Sequence, residues 1–440
     1  MLLRQFKRFV SDNNLFDNTH SLLATVSGGA DSSVMLHLLA KCKFKVAVAH
    51  CNFKLRGADS DGDEDFVRQL AERYQMPFFS IRFDTLAYAD EHKISVEMGA
   101  RELRYNWFAK LADEHHFDRI LTAHHLNDNI ETALLNLCRG TGINGLTGIA
   151  PLNGIIARPL LFATREQIEE YARLNKLSFR TDITNLSDDY QRNIVRHQIV
   201  PVMKQINPAL EDRMLKNFKH IRQASDIYSW YVDKAKSEIL TCNADEIMID
   251  VNGLLRQEFV ESVLFECVKP YGFNSAQVES MMKIVGQKSG STFASATHKL
   301  LIDRNSIIIK ACDQDTFEPM QILEPQDIES IGIKMKVVDV SDFVLDKRPT
   351  VACLDFDKLE FPLTIRQWRH GDYFYPIGMN RAKKLSDFFI DSKINVFEKE
   401  SALVLTSGEK IAWIVGYRPD NRFKIDNNTK KVLVVNSLSK

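Results

Sequence analysis

At 440 residues the chain is too long for one hydrophobic core, so two or three domains are expected. Hydrophobic residues at 45% and charged residues at 26% describe a globular protein, and no apolar run is long enough to span a bilayer. A net charge of −1 gives no overall bias toward polyanions, and seven cysteines placed singly, with no Cys-x-x-Cys pair, argue against a disulfide framework, a structural zinc or an iron–sulfur cluster.

Met1 to Val10 carries its charges among its apolar positions, as an amphipathic helix does, and is expected not to be a signal peptide, which places the protein in the cytoplasm. From Leu22 to about Ile156 short apolar runs alternate with helical periods. Leu22–Val26, Val46–His50, Phe78–Phe83 and Ile120–Ala123 read as strands; Asp63–Tyr74, Met98–His115 and Asn129–Cys138 read as helices. The alternation predicts an α/β domain with a doubly wound parallel sheet, whose ligands bind at the carboxyl ends of the strands. Past Pro159 helical patterns dominate, at Thr164–Lys176, Gln191–Gln205 and Ala209 to about Leu240, the last a connector. A second unit contains helical Glu258–Val268 and Ser275–Val285 and ends in a hairpin-like Ser291–Leu301, Asp303-Arg304-Asn305 turn and Ile307–Lys310. A third is richer in strand signals, at Met335–Val340, Ala402–Leu405, Ile411–Gly416 and Val432–Val435. The expected division is a catalytic α/β domain over 1–210, a mainly helical connector and middle domain over 211–315, and a small α+β C-terminal domain over 316–440.

Charge is distributed unevenly. Asp59 to Asp65 holds five acids and no base, Gln191 to Arg222 has seven Lys/Arg against two acids, and Arg366, Arg369, Arg381, Lys383 and Lys384 surround Trp368 with Asp372 as the one acid among them. Local basic patches on a neutral protein bind a polyanion at defined places, or are solvated faces.

The first predicted strand runs straight into Ser27-Gly28-Gly29-Ala30-Asp31-Ser32-Ser33 and then a helix. Such a loop offers backbone N–H groups and a helix N-terminus to phosphate. It is not a Walker loop, lacking the Lys-Ser/Thr, nor a dinucleotide fingerprint, lacking three spaced glycines. The second strand ends at His50-Cys51-Asn52-Phe53, where an adenosine would lie with backbone groups reading its edge, and Arg56 follows. Arg101 and Arg104, three apart on a predicted helix, present two guanidiniums on one face, suited to a phosphate or to pairing with nearby Glu97 and Glu102. The fourth strand opens into Thr122-Ala123-His124-His125-Leu126-Asn127-Asp128-Asn129-Ile130-Glu131, where Asp128 and Glu131 share a helix face. Two carboxylates there serve as first-turn acids, or hold Mg²⁺ with ATP phosphates, or hold an ammonium. The helix ends in the glycine-rich Arg139-Gly140-Thr141-Gly142-Ile143-Asn144-Gly145.

Ser27–Ser32 resembles the PP-loop of the ATP pyrophosphatases, which cut ATP between its α and β phosphates. With Asn52–Arg56, Ala100–Tyr105, Ala123–Thr132, Arg139–Leu146, Asp182-Ile183-Thr184-Asn185, Arg192-Asn193-x-x-Arg196 and the C-terminal Arg366, Arg369, Gly371-Asp372, Pro376, Gly378 and Lys383-Lys384, the chain is similar to the tRNA(Ile)-lysidine synthetase family over nearly its whole length. Two positions depart from the family pattern: Phe53 stands where a histidine is common, and Asn127-Asp128 where Asp-Asp is common. No role is carried to Phe53 or Asn127.

The resemblance implies that ATP adenylates the wobble cytidine of a CAU-anticodon isoleucine tRNA and that free L-lysine then displaces AMP, giving lysidine. Ser27, Gly28, Gly29, Ala30 and Ser32 would hold pyrophosphate, and His50 and Asn52 would line the nucleotide site. Asp31 would position Mg²⁺. Arg101, Arg104 and His124 would stabilise developing charge, and Asp128 and Glu131 would hold the lysine ammonium or Mg²⁺. Arg139, Arg192, Arg196, Arg366, Arg369, Lys383 and Lys384 would bind tRNA. Neither a membrane nor a further cofactor is implied, and a homodimer is left open. The rival readings are a PP-loop tRNA thiolase, which needs a cysteine pair or cluster, another adenylating ligase, and a tRNA-binding protein without activity.

Overall fold

The apolar runs of the N-terminal half assemble into one sheet because each is short, apolar on both faces and followed by a helix that covers it. In the computed structural model, residues 1–180, 190–243, 246–312, 317–379 and 381–437 are described, in two units, Met1–Ser229 and Trp230–Lys440. The Asp182–Asn185 element lies outside the described residues.

In the first unit β1 (Leu22–Thr25), β2 (Val46–Asn52), β3 (Phe78–Arg82), β4 (Arg119–Leu121), β5 (Leu152–Asn153) and β6 (Ile156–Ala157) form a sheet of order β3-β2-β1-β4-β6-β5. Pairing is parallel from β3 to β6, and β5 closes the edge as an antiparallel hairpin partner of β6. The helices are α1 (Leu2–Asp12), α2 (Ala30–Lys41), α3 (Ala58–Arg73), α4 (Thr85–His92), α5 (Val96–Glu114), α6 (Leu126–Arg139), α7 (Ile143–Leu146), α8 (Arg165–Leu174), α9 (Tyr190–Ile194), α10 (Val200–Ile206) and the long α11 (Leu210–Ile239), whose last residues belong to the second unit. Two cores sandwich the sheet. Leu22, Ala24 and Val48 face a cluster with Phe6, Met35, Leu39 and Ile168, while Leu23, Ala47 and Ala49 face one with Phe108 and Leu111. Strand order reverses at β1, so the crevice between the carboxyl ends of β1 and β4 is the site position that this topology favours.

The expected strands and helices stand within a few residues of their predicted ends, with informative exceptions. β5 and β6 are two residues each, too short for alternation to register. α3 starts at Ala58, just ahead of the acidic run, which the helix takes in because those acids have partners: Asp63 pairs with Arg56 and Arg180, and Glu64 accepts from Asn52, Ser80, Arg68 and Arg82. The helix expected over Gln191–Gln205 is broken into α9, a π-helical turn at Val195–Ile199, and α10.

In the second unit β7 (Leu240–Cys242), β8 (Ile247–Asp250), β9 (Ser291–Ala294), β10 (His298–Ile302) and β11 (Ser306–Ala311) form an antiparallel sheet of order β7-β8-β11-β10-β9. It packs on α12 (Val251–Leu255), α13 (Val260–Val268) and α14 (Ser275–Met282) through Val263, Leu264, Met281, Leu300 and Ile309. The predicted hairpin arm Ser291–Leu301 is two strands, β9 and β10, paired antiparallel, and the turn through Asp303-Arg304-Asn305 joins β10 to β11 as expected. Beyond it β12 (Met320–Ile322), β13 (Ile333–Asp339), β14 (Val351–Asp355), β15 (Leu363–Gln367), β16 (Tyr373–Phe374), β17 (Lys383–Lys384), β18 (Leu403–Ser407), β19 (Lys410–Ile414) and β20 (Lys431–Ser437) build a β12-β15-β18-β19 sheet, a β13-β20-β14 sheet and a β16–β17 ribbon. Two helices, α15 (Leu385–Asp391) and α16 (Val396–Glu400), accompany them. Among the described residues no helix is long and apolar enough to cross a membrane.

Candidate active site at the strand carboxyl ends

Between β1 and α2 the chain must reverse within a few residues, which Gly28 allows: its φ is +94°, and a Cβ there would also meet Phe66 at 3.4 Å. Gly29 then caps α2, whose first-turn N–H groups have no intrahelical acceptor and point outward from the loop. Ser32 is folded back, its hydroxyl donating to the Gly29 carbonyl at 3.1 Å and lying 3.3 Å from the Ser27 hydroxyl. The result is a polar cradle with no cationic side chain of its own. A phosphate fits it; an apolar ligand does not.

A cleft of about 270 Å³ opens above this loop, lined by Ala49, Cys51, Phe53, Phe108, Ala123, His124 and Asp128 as well as the loop itself. Its apolar floor of Ala49, Cys51, Phe53, Phe108 and Ala123 suits a purine. His50 and Asn52 do not present their side chains to it freely. The His50 ring contacts the Val26 carbonyl through Nδ1 at 2.8 Å, and the Asn52 amide donates to Asp61 and Glu64 at 2.9 and 3.1 Å. Burial pushes His50 down from its ordinary value, so it is neutral and the Nδ1–H donates. Their hydrogen bonds fix the end of β2, and both residues line the adjoining cavity.

A second cavity, with Ser27, Cys51, Phe53, Arg104 and His124 in common with the first, extends past Arg101, Arg56 and Arg192. Arg104 lies 5.1 Å over the Phe53 ring, and Arg101 lies 5.0 Å over Tyr105. Phe53, one of the two departures from the family pattern, is therefore a seat for a guanidinium. Among the described residues neither arginine is within ion-pair distance of a carboxylate, so the alternative of surface pairing with Glu97 and Glu102 is not what the fold builds.

At the β4 end, His125 Nε2 stands 3.6 Å from Asp128 and 3.9 Å from Asp31, bringing the loop acid and the helix acid to one imidazole nitrogen. Burial dominates at Asp31 and raises its pKa, reinforced by Asp128 and opposed by His125. Burial also opposes ionisation of Asp128, but His125, His124, the His125 N–H at 3.0 Å and Arg192 together hold it below the usual carboxylate range. His124 is pushed down to about 4 by burial and by Arg158, Arg192 and Arg101, against the pull of Asp128. It is a neutral hydrogen-bonding group at physiological pH. Two carboxylates facing the phosphate cradle match the sparse oxygen set that Mg²⁺ takes when phosphates supply the rest.

Glu131 is placed differently from its expected role. Its carboxylate is buried and accepts from Arg192 Nε at 2.8 Å and from Arg196 Nε and a second guanidinium nitrogen at 2.7 and 3.0 Å. The same arginines approach Asp128 at 3.6 and 3.8 Å. Arg192 and Arg196, expected on a tRNA-binding face, are thus brought to the β4 end of the site. Four apart on a continuous helix they would already share a side, and α9 running into the π turn carries both to α6. Arg139 is exposed and donates to Gln191 at 2.7 Å. Asn127, the other departure, accepts from the Arg165 N–H and ties α6 to the start of α8.

In the second unit Arg366 is held by Asp372 in two short contacts of 2.8 and 2.9 Å, and Lys383 by Asp391 at 2.7 Å. Arg369, Arg381 and Lys384 are exposed. Sequence reading missed His125 as the bridge between two acids and Arg158, buried with its guanidinium on the Ala150 carbonyl at 2.7 Å. The His124-His125 pair was a signal for the first; nothing local marks the second.

Family profiles for a PP-loop domain, a TilS substrate binding domain and a TilS substrate C-terminal domain match residues 1–203, 242–312 and 363–436. A curated tRNA(Ile)-lysidine synthase of Parabacteroides distasonis is 39% identical over 99% of this chain and 100% of its own length, and that of Bacteroides thetaiotaomicron is 39% identical over 99% of both. The chain belongs to the tRNA(Ile)-lysidine synthase family. Among solved structures a U34-tRNA thiolase from Methanococcus maripaludis aligns with TM-score 0.42 and 17% identity, covering 50% of this chain and 77% of that one, and nothing further rests on that likeness. Thiolase chemistry is not favoured for this tRNA(Ile)-lysidine synthase relative: Cys51, which lines the cleft, has its thiol pushed up to about 12 by burial, far from a reactive thiolate.

Proposed function

We propose that this chain joins lysine to the wobble cytidine of the CAU anticodon of isoleucine tRNA, consuming ATP through an adenylated cytidine and changing codon reading from AUG to AUA. The observation that carries it is the convergence, at the carboxyl ends of the central strands, of the phosphate cradle, the Asp31–His125–Asp128 cluster and the Arg101/Arg104 pair beside two adjoining cavities. In the first step the cytidine C2 oxygen attacks the α-phosphorus and the bond to the β-phosphate breaks. The loop from Ser27 to Ser32 receives the pyrophosphate through backbone N–H groups and hydroxyls, where donors fixed in advance are most effective. Arg101 and Arg104, seated on aromatic rings, meet the charge growing on the α-phosphate. In the second step the ε-ammonium of lysine gives a proton to a carboxylate of the site, the free amine attacks C2, the C–O bond breaks and AMP leaves.

Asp128, held ionised, is the partner for the incoming ammonium, and Glu131 positions Arg192 and Arg196 around it. Mg²⁺ would be held by Asp31 with the phosphates and would screen their charge. A cytoplasmic setting, free lysine as second substrate, a homodimer, and the division at about 210 and 315 into catalytic, middle and C-terminal tRNA-binding parts belong to the same proposal. The test is mass analysis of isoleucine tRNA after incubation with ATP and labelled lysine, with AMP and pyrophosphate measured in parallel. One lysine per tRNA with one AMP released is expected; a tRNA unchanged in mass overturns the reading.

A further inference from the structure

The C-terminal basic segment contains more than charge. β16 is two residues long, and its alternation sends Phe374 into the core, fully buried, while Tyr373 lies on the outer side with Tyr375. Arg422 stands over both rings, 4.6 Å from the Tyr375 centroid and 5.9 Å from that of Tyr373. Its position is set from below by Asp420, itself completely buried, which accepts from Arg422 Nε at 3.0 Å and from the terminal nitrogen at 2.8 Å. The same carboxylate takes the Tyr375 N–H at 2.9 Å, so one buried acid fixes the backbone of the tyrosines and the guanidinium that stacks on them. Across the ribbon Lys384 pairs in register with Tyr373 and is exposed, as are Arg369 and Arg381. Tyr373 nonetheless leaves 51% of its surface to solvent, with Ile377 and Met379 similarly open beside it in sequence.

We infer that Tyr373, with Tyr375 and Arg422 behind it, is a stacking platform for an unpaired nucleotide of the bound tRNA, whose phosphates are met by Lys384 and Arg369. A rigid aromatic ring with an open face and flanking cations is what single-stranded nucleic acid recognises, and stacking on it is tolerant of base identity. An ordinary exposed tyrosine has no preorganised guanidinium beneath it and no buried acid holding that guanidinium in place. Charge complementarity selects RNA over an apolar partner, since the rim of the platform carries cations. The inference rests on the proposed action on tRNA, and adds a contact that discriminates paired from unpaired nucleotides.

The test is the affinity of the full-length protein for isoleucine tRNA, measured at several salt concentrations for wild type, Tyr373→Ala, Tyr373→Phe and Lys384→Ala. Stacking predicts that Tyr373→Ala binds about 10-fold more weakly at every salt concentration with an unchanged salt slope, while Tyr373→Phe binds like wild type and Lys384→Ala flattens the slope. Tyr373 is on the outer face, so truncation spares the core occupied by Phe374, and the thermal midpoint checks this directly. Affinity of Tyr373→Ala within twofold of wild type, a weakening shared by Tyr373→Phe, or a changed slope in Tyr373→Ala overturns the platform. Wild-type protein that binds tRNA but adds no lysine to it removes the proposed reaction and leaves the platform standing on the binding data.

Discussion

Glu131 has one carboxylate and two guanidiniums to answer, and that arithmetic decides its role. Its side chain is 3% exposed, so replacing it with glutamine removes the nearest charge partner of two arginines in a half-buried place. We expect Glu131→Gln to lower unfolding free energy by about 3 kcal/mol in urea titration and to reduce lysine ligation even where the protein is still folded. At His124 the sign runs the other way from a salt-bridged histidine. Its folded pKa of about 4 lies below the unfolded value of 6.5, so the unfolded chain takes up the proton first. Stability therefore rises from pH 4 to 6.5 and is complete above it. In His124→Gln the difference in urea midpoint between pH 5 and pH 7 should shrink; an unchanged difference would show that His124 is not buried neutral.

At the level of elements, the loop between β1 and α2 works because a left-handed glycine lets the strand turn and the helix begin without a side chain in the way. Gly28→Ala forces a Cβ into a φ of +94° beside Phe66, at a cost of about 1–3 kcal/mol. The measurable consequence is a raised KM for ATP together with a lower thermal midpoint; ATP kinetics equal to wild type would mean the loop does not hold phosphate. The same scale explains the π turn at Val195–Ile199. An uninterrupted helix over Gln191–Gln205 is the simplest reading of the pattern. The π turn carries Arg196, one of the pair that grips Glu131, and π turns are frequent at functional sites.

Across the whole molecule, a nearly neutral chain binds tRNA only if its charge is concentrated. Affinity should fall steeply with salt, and the exposed cations are expected to carry the slope. Arg366 and Lys383 are already paired to Asp372 and Asp391, whereas Arg369 and Lys384 are exposed. The double variant Arg369→Ala/Lys384→Ala should reduce the slope of log Kd against log salt by about 1.5, at roughly 0.7 to 0.9 for each phosphate that the variant leaves unneutralised. Arg366→Ala should instead cost about 2 kcal/mol of stability, because it leaves Asp372 without its guanidinium. A salt slope unaffected by the double variant would remove the exposed pair from the tRNA interface.

The glycine turn after β1, the parallel pairing of the first strands and the helix carrying Asp128 were legible in the sequence, because each depends on residues close together in the chain: glycine conformation, alternation and helical period are local physics. The motifs also carried the family resemblance. What the tertiary structure decided is which charges meet. Arg192 and Arg196 lie 61 and 65 residues from Glu131, and only the packing of α9 and its π turn against α6 joins them. The use of His50 and Asn52 to brace a strand end, the seating of Arg104 on Phe53, and the Asp420–Arg422–Tyr375–Tyr373 stack likewise depend on chain segments brought together by folding. Periodicity reports which face a residue occupies; the partner waiting on that face is set by the fold.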